Sequence, residues 1–278
     1  MPGGTSFAPT SVMDAKTIAF YRSVLTALKS ADIPFLVGGG FALGWYTSIH
    51  RYTKDLDVFI QPKSRGPVLQ ALAGAGFRTE LRFRHWLAKV HCDSKYVDVI
   101  FSSGNGLADV TDEWFGHAVP AELMEIPVQL CAPEEMIFSK AFIMERNRYD
   151  GADIAHLMRA RGRELDWPRL IGHFGPYWRV LLSHLILFEF IYPGEPSPIP
   201  PDLLENLVRS WRSERTLPRS ASRICQGSLL STIQYNVDIE DWGYEDARLI
   251  PRGKLTRQEI KEWTEAILRE NQAKHHQA

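Results

Sequence analysis

Two aspartates separated by a single leucine open an apolar run, Asp55-Leu56-Asp57-Val58-Phe59-Ile60, and this arrangement constrains the fold more tightly than any other stretch of the chain. In an extended strand, side chains alternate between faces, so Asp55 and Asp57 point one way while Leu56 and Val58 point the other. Two carboxylates on one face repel, and a divalent cation between them removes that cost. Acids beside a strand also occur as solvated edge charges, so the neighbouring sequence has to decide. Just upstream, Leu36-Val37 runs into Gly38-Gly39-Gly40. This reads as a buried strand ending in a turn, where backbone amides approach a phosphate unobstructed by side chains. The helix expected over Phe41 to Tyr46 adds donors at its amino terminus.

A third carboxylate, Asp98, is embedded in the β-rich run Lys95-Tyr96-Val97-Asp98-Val99-Ile100-Phe101. An unpaired charge among such residues is expensive, so Asp98 requires a partner. If its strand lies beside that of Asp55 and Asp57, three carboxylates converge. Such a set is enough for two Mg²⁺ ions about 3.5 to 4 Å apart and an in-line displacement at phosphorus.

Together these residues resemble the DNA polymerase beta-type nucleotidyltransferase superfamily. Its pattern Gly-Gly-X-Ala is matched by Gly39, Gly40 and Ala42, and its Arg-X-Thr-Lys-Asp-Leu-Asp pattern by Arg51, Thr53, Lys54, Asp55, Leu56 and Asp57. A later segment, Pro133-Glu134-Glu135 followed by Lys140, Arg146, Arg148, Asp150 and Asp153, resembles the family's Lys and Arg-X-Arg-X-Asp-X-X-Asp stretch. Within the superfamily, the chain most resembles small bacterial members: the toxins of AbiE abortive-infection systems and some aminoglycoside nucleotidyltransferases. The resemblance covers roughly residues 30 to 160. It implies a mixed β-sheet flanked by helices and transfer of a nucleoside monophosphate from an NTP to a hydroxyl. It also implies metal ligands Asp55, Asp57 and Asp98 for two Mg²⁺ ions, and nucleotide contacts from Gly38, Gly39, Gly40, Thr53, Lys54 and Lys140. The acceptor it implies is a small molecule, a tRNA or a protein, and the toxin likeness adds a protein antitoxin as a partner. The alternative within the same fold is a nucleotide-binding or toxin-antitoxin interaction protein without turnover.

Composition narrows the class. With 45% hydrophobic and 23% charged residues, the 278-residue chain reads as an ordinary globular protein of one large or two modest domains. Its formal net charge of −1 gives no chain-wide basic surface for nucleic acid. Cys92, Cys131 and Cys225 are odd in number and lack a Cys-X-X-Cys pattern, which fits a reducing cytoplasm better than a disulfide framework or a zinc site. His91-Cys92-Asp93 reads as a hairpin turn with a buried thiol. Met1 to Thr10 has no basic segment followed by an apolar core, so residues 1–11 read as a disordered leader. The apolar run Val180 to Tyr192 is too short to span a bilayer, and no membrane partner is expected.

Apolar spacing predicts helices over Val12 to Ala31, Val68 to Ala75 and Tyr149 to Ala160. It predicts strands over Ile33 to Val37, Leu56 to Ile60 and Ile126 to Leu130, with a hairpin from Phe77 to Phe83 and Trp86 to His91. Leu107 to Glu125 is open to either reading, with Trp114 as core or pocket lining. A further helix opens at Pro133 with Glu134 and Glu135 in its first turn and carries Lys140, Met144 and Arg148. Lys140 shares a stripe with Met136 and Met144, which suits a lysine snorkelling to water as well as a phosphate ligand. Asp150 and Asp153 fall where acids cap a helix. The expected class is α+β, with a nucleotidyltransferase domain over 12–164 and an all-helical region over 165–278. The last helix opens at the capping box Thr256-Arg257-Gln258-Glu259.

Overall fold

The computed structural model describes residues 13–50, 53, 55–93, 95–216, 218 and 222–275. The expectations for the leader, Arg51 and Lys54 lie outside them. The chain divides into two compact units, the first ending at Ala132 and the second starting at Pro133.

The first unit opens with α1 (Ala15–Ser30), capped by Asp14, whose carboxylate accepts from the Thr17 amide at 2.9 Å and the Thr17 hydroxyl at 2.7 Å. Its stripe Phe20, Tyr21, Val24, Leu25 and Leu28 is buried at the expected helical spacing. Then follow β1 (Leu36–Val37), α2 (Gly39–Thr47), β2 (Asp55–Phe59), α3 (Arg65–Gly74), β3 (Arg78–Phe83), β4 (Leu87–Cys92), β5 (Lys95–Ile100), α4 (Asp112–Gly116), β6 (Val119–Leu123) and β7 (Ile126–Leu130). The strands form one mixed sheet in the order β3-β4-β5-β2-β1-β7-β6. In it β2 runs parallel to β5 and β1 parallel to β7, and the other neighbours are antiparallel. Strand alternation separates the faces: Leu56, Val58, Ala88, Val90, Val97 and Val99 are buried in the core, and the intervening polar residues turn the other way. The ambiguous stretch resolves into α4 and β6, and Trp114 is core, its ring 5.7 Å from that of Phe59.

The second unit contains α5 (Pro133–Ala141), the two-stranded ladder β8 (Met144–Glu145) with β9 (Arg148–Tyr149), α6 (Gly151–Arg161), α7 (Trp167–Phe174), α8 (Trp178–Ile191) and α9 (Pro201–Glu214). Next come β10 (Ile224–Cys225), α10 (Asn236–Glu240), β11 (Glu245–Asp246), which pairs with β10, and α11 (Arg257–His275). The Thr256–Glu259 capping box forms as expected, each backbone amide donating to the other's side chain.

Two expectations differ in this unit. The helix from Pro133 stops at Ala141, so Met144 and Arg148 lie on the β8–β9 ladder instead of the helix. The compact units divide ahead of the expected boundary at 164, because α5 and α6 bury their faces with α7 and α8. Phe138 packs edge-on against Phe174, Arg169 pairs with Glu134 and Glu135, and His184 bonds the Ala141 carbonyl. The region after 165 is helical apart from the short β10–β11 ladder.

Candidate active site

On the face of the sheet opposite the Leu56–Val58 core, strand register builds a row of charge. Glu80 of β3 stands beside Lys89 of β4, Lys89 beside Asp98 of β5, and Asp98 beside Asp57 of β2. The Asp57 carbonyl accepts from the Gly38 amide at 3.0 Å, so the row ends where β1 turns into α2. One step along the strands, a second row sets His91 beside Tyr96 and Tyr96 beside Asp55. The expected adjacency of the Asp98 strand to that of Asp55 and Asp57 is therefore present. Neighbouring strands lie about 4.8 Å apart, close enough for the carboxylates of residues in register to interact directly.

The glycine turn is shaped by what it touches. Gly39 has φ +55, and a Cβ there would fall on the Asp57 carboxylate; a residue with a side chain would carry backbone strain and displace that acid together. A Cβ on Gly40 would sit 3.1 Å from Thr53 Oγ1, and one on Gly38 would collide with the Phe59 ring. Gly38 is the N-cap of α2 and makes no side-chain cap, so the first amides of the helix are left for other acceptors. Thr53 donates to the Asp55 carbonyl at 2.9 Å and reaches its Oδ1 at 3.4 Å. Gly38, Gly39, Gly40, Thr53, Asp55, Asp57 and Asp98 thus gather in the first unit.

The electrostatics of the row are set by Lys89, which no local sequence pattern marks. Lys89 Nζ donates to Asp98 Oδ1 at 2.7 Å and stands 3.7 Å over the Tyr96 ring. Burial pushes the Asp98 carboxyl up, against the pull of the Lys89 ammonium, and the Asp55 charge pushes it further. The Tyr96 hydroxyl, beside Asp55 in register, is pushed up to about 12 by burial and by the Asp55 and Asp98 charges. Period-two alternation over Trp86 to His91 does put Lys89 and His91 on one face. Only the register across three strands, however, delivers that face to Asp98.

The resemblance implies two metal ions on these carboxylates. Asp55 and Asp57 offer hard oxygen donors from one strand face, suited to one divalent ion of the Mg²⁺ type. Asp98 is already paired with an ammonium. Among the described residues, no group of three or more His, Cys, Asp or Glu is arranged to hold a metal ion.

Lys140, expected to contact nucleotide, lies in the second unit within a network of its own. Its Nζ pairs with Asp150 at 3.0 Å and Asp153 at 2.9 Å. Arg148 grips Asp150 through two nitrogens, each at 3.0 Å. Burial alone would lower the Lys140 ammonium, but the two carboxylates hold it above its ordinary value. Burial would likewise raise Asp150, yet Arg148 and Lys140 hold it below the usual carboxylate range. Asp150 begins α6 without capping it, because its side chain is committed to these cations. Cys92, read as a buried thiol, is exposed at the end of β4 next to the turn, whereas Cys131 and Cys225 are buried. His91 bonds Glu80 Oε2 at 3.0 Å. Among the described residues, no helix is long and apolar enough to cross a membrane.

No protein-family model and no curated protein matches the chain. Among solved structures, the chain is similar to the antibiotic-resistance factor ANT(2'')-Ia, at 17% identity and a TM-score of 0.42, over 62% of this chain and 98% of that one. It is similar to the lincosamide antibiotic adenylyltransferase LnuA in its lincomycin-bound form, at 16% identity and a TM-score of 0.37, over 52% of this chain and 96% of that one. A third similarity is to an antigenic nucleotidyltransferase-like protein from Paracoccidioides brasiliensis, at 14% identity and a TM-score of 0.37, over 64% of this chain and 94% of that one.

Proposed function

We propose that this chain is a nucleotidyltransferase that moves a nucleoside monophosphate from an NTP to an acceptor hydroxyl and releases pyrophosphate. The observation that carries the reading is the register of Asp57 against Asp98, with the Asp57 carboxylate seated on Gly39 at the start of α2. That arrangement sets acids beside an open helix start, which suits a metal-bound, phosphate-bearing ligand.

In this reading Asp55 and Asp57 hold Mg²⁺, which when bound draws charge from the phosphate oxygens. The amides of Gly39 and Gly40 donate to phosphate, and Thr53 fixes the Asp55 backbone that presents the first carboxylate. Asp98 takes the proton of the acceptor hydroxyl as its oxygen bonds to the α-phosphorus. The bond from that phosphorus to the pyrophosphate oxygen breaks, and the leaving group carries the electron pair away. Tyr96 stands beside Asp55 in register and holds Lys89 over its ring, which links the two rows of the face before ligand arrives. Most of the acceleration comes from positioning and fixed charge.

The test is incubation with each radiolabelled NTP and Mg²⁺ in a cell extract containing RNA, proteins and metabolites, comparing wild type with Asp57→Ala. Label appearing in an acceptor with wild type alone is the expected result, and the class of the labelled product names the acceptor as small molecule, tRNA or protein. NTP binding without transfer would replace this reading with a non-catalytic nucleotide-binding protein. Absence of binding as well would sink the site assignment.

A further inference from the structure

We propose that Lys89 divides the work of the two Asp98 oxygens: its ammonium locks Oδ1, which leaves Oδ2 as the atom that takes the acceptor's proton. The inference rests on the nucleotidyltransferase reading above and adds to it a positioning residue and a single acting oxygen.

Strand geometry fixes where the ammonium can go. Lys89 lies in the middle of β4, with Ala88 and Val90 buried on either side of it and strands paired along both edges, to Glu80 and to Asp98. Its side chain therefore leaves the backbone on the carboxylate face. Two contacts hold its tip there: the 2.7 Å bond to Asp98 Oδ1, and the Tyr96 ring, whose centre is 3.7 Å from Nζ. Tyr96 lies two residues before Asp98 on β5, so ring and carboxylate reach the ammonium from one face of one strand. The Lys89 and Asp98 side chains are only 20% and 14% exposed, so solvent screens the pair weakly.

A carboxylate that turns freely offers a reacting hydroxyl either oxygen, and for part of the time neither. At Asp98 such a turn breaks the charge-assisted bond to Lys89, so the group is held in one orientation. Among the described residues, Oδ2 accepts no hydrogen bond. It is the oxygen left for the acceptor. As the acceptor oxygen bonds to the α-phosphorus, its proton passes to Oδ2, and the bond to pyrophosphate breaks with its electron pair staying on the leaving oxygen. Lys89 touches neither nucleotide nor acceptor in this scheme: it acts through Asp98, and Tyr96 acts through Lys89.

Transfer and NTP affinity, measured side by side on the full chain, separate this role from a structural one. Transfer is followed with ATP, GTP, CTP and UTP radiolabelled at the α-phosphate in the cell extract described above, and affinity by equilibrium dialysis of the same nucleotides. In Lys89→Ala, transfer falls about 10²-fold, the lower end of what a positioned proton acceptor contributes, and NTP affinity is unchanged. Propylammonium chloride, which replaces the atoms removed, restores part of the transfer. Tetramethylammonium chloride at the same concentration has no N–H to donate and restores none. Tyr96→Leu loses more transfer than Tyr96→Phe, because only phenylalanine keeps a ring against the ammonium. Should Lys89→Ala not fold, Lys89→Gln shows the same fall and Lys89→Arg, which keeps a cation, a smaller one. Undiminished transfer without the lysine ammonium would overturn the inference, as would a fall in transfer matched by an equal fall in NTP affinity, or equal effects of the two salts. Equal losses in the two Tyr96 variants would overturn the role given to that ring. Absence of transfer by wild type would instead overturn the nucleotidyltransferase reading itself, and this inference with it.

Discussion

Each unit of this protein holds a lysine among aspartates, and the two groupings are built to different ends. In the first unit, Lys89 answers one carboxylate of a sheet face that also carries Asp55 and Asp57, beside an uncapped helix start. In the second, Lys140 and Arg148 meet Asp150 and Asp153, two cations for two anions, knitted through hydrogen bonds close to 3 Å. Among the described residues the first grouping holds more acid than base, and it is arranged by strand register. The second is balanced and is arranged by a ladder folding back on a helix. Balanced charge makes a strut, whereas an excess of one sign on an open face makes a place for a ligand of the opposite sign.

The sharpest test of that distinction removes the strut. Lys140→Met leaves two largely buried carboxylates short of a cation, and breaking a buried ion pair in this way costs about 3 to 5 kcal/mol. Chemical denaturation should register that loss, while the affinity for NTP in the folded protein is unchanged. Weakened NTP binding with unaltered stability would make Lys140 a phosphate ligand, as the resemblance has it, and would break the comparison.

Asp57→Asn should behave in the opposite way. Transfer falls on the order of 10²- to 10³-fold, in line with losing one fixed electrostatic contact to the reacting group. Stability falls less than in Lys140→Met, since a like charge beside Asp98 has been removed. A loss of stability as large as that of Lys140→Met would make Asp57 a structural residue.

Gly39→Ala probes the join between the glycine turn and the acid row. A left-handed φ of +55 costs a residue with a side chain about 1 to 2 kcal/mol, and the new methyl also displaces the Asp57 carboxylate. Gly76→Ala is the control, because Gly76 has φ +89 but nothing within 4 Å of the added Cβ. Both variants should lose stability, and only Gly39→Ala should lose nucleotide affinity. Equal affinity in the two would show that the seating of Asp57 on Gly39 has no bearing on the ligand.

How much of this could be read from sequence depends on the range over which each feature is specified. The Asp55/Asp57 face, the glycine turn, β7 and the Thr256–Glu259 capping box are local patterns, and each is legible in the sequence. The pairing of Asp57 with Asp98 was conditional on two strands being neighbours, and the sheet order meets that condition. Lys89 is not legible locally, because its meaning depends on the registers of β4, β5 and β2 together. Met144 and Arg148 continue the spacing of the helix from Pro133, yet in the folded chain the Ile143 amide bonds the Lys140 carbonyl and the backbone turns into β8. Asp150 occupies the cap position it was expected to hold, but the cations beside it claim its side chain.

The smallest effect is a difference in titration between two aspartates of ordinary value 3.8. Asp98 is raised, chiefly by burial, so the folded state holds its proton more tightly than the unfolded state does. Its contribution to stability is greatest below pH 3.8 and declines as the pH rises through the folded value. Asp150 is lowered: burial opposes ionisation, but Arg148 and Lys140 outweigh it. Its contribution is present above pH 3.8 and is lost as the pH falls through the folded value. Each unit of separation corresponds to about 1.4 kcal/mol between protonation states. Carboxyl carbon resonances followed by NMR in metal-free protein should therefore place the two midpoints on opposite sides of 3.8. Asp150→Asn should in turn flatten the acid limb of stability against pH. Midpoints that coincide would mean that the two lysines act on their aspartates alike, and the contrast between an open acidic row and a balanced strut would lose its electrostatic basis.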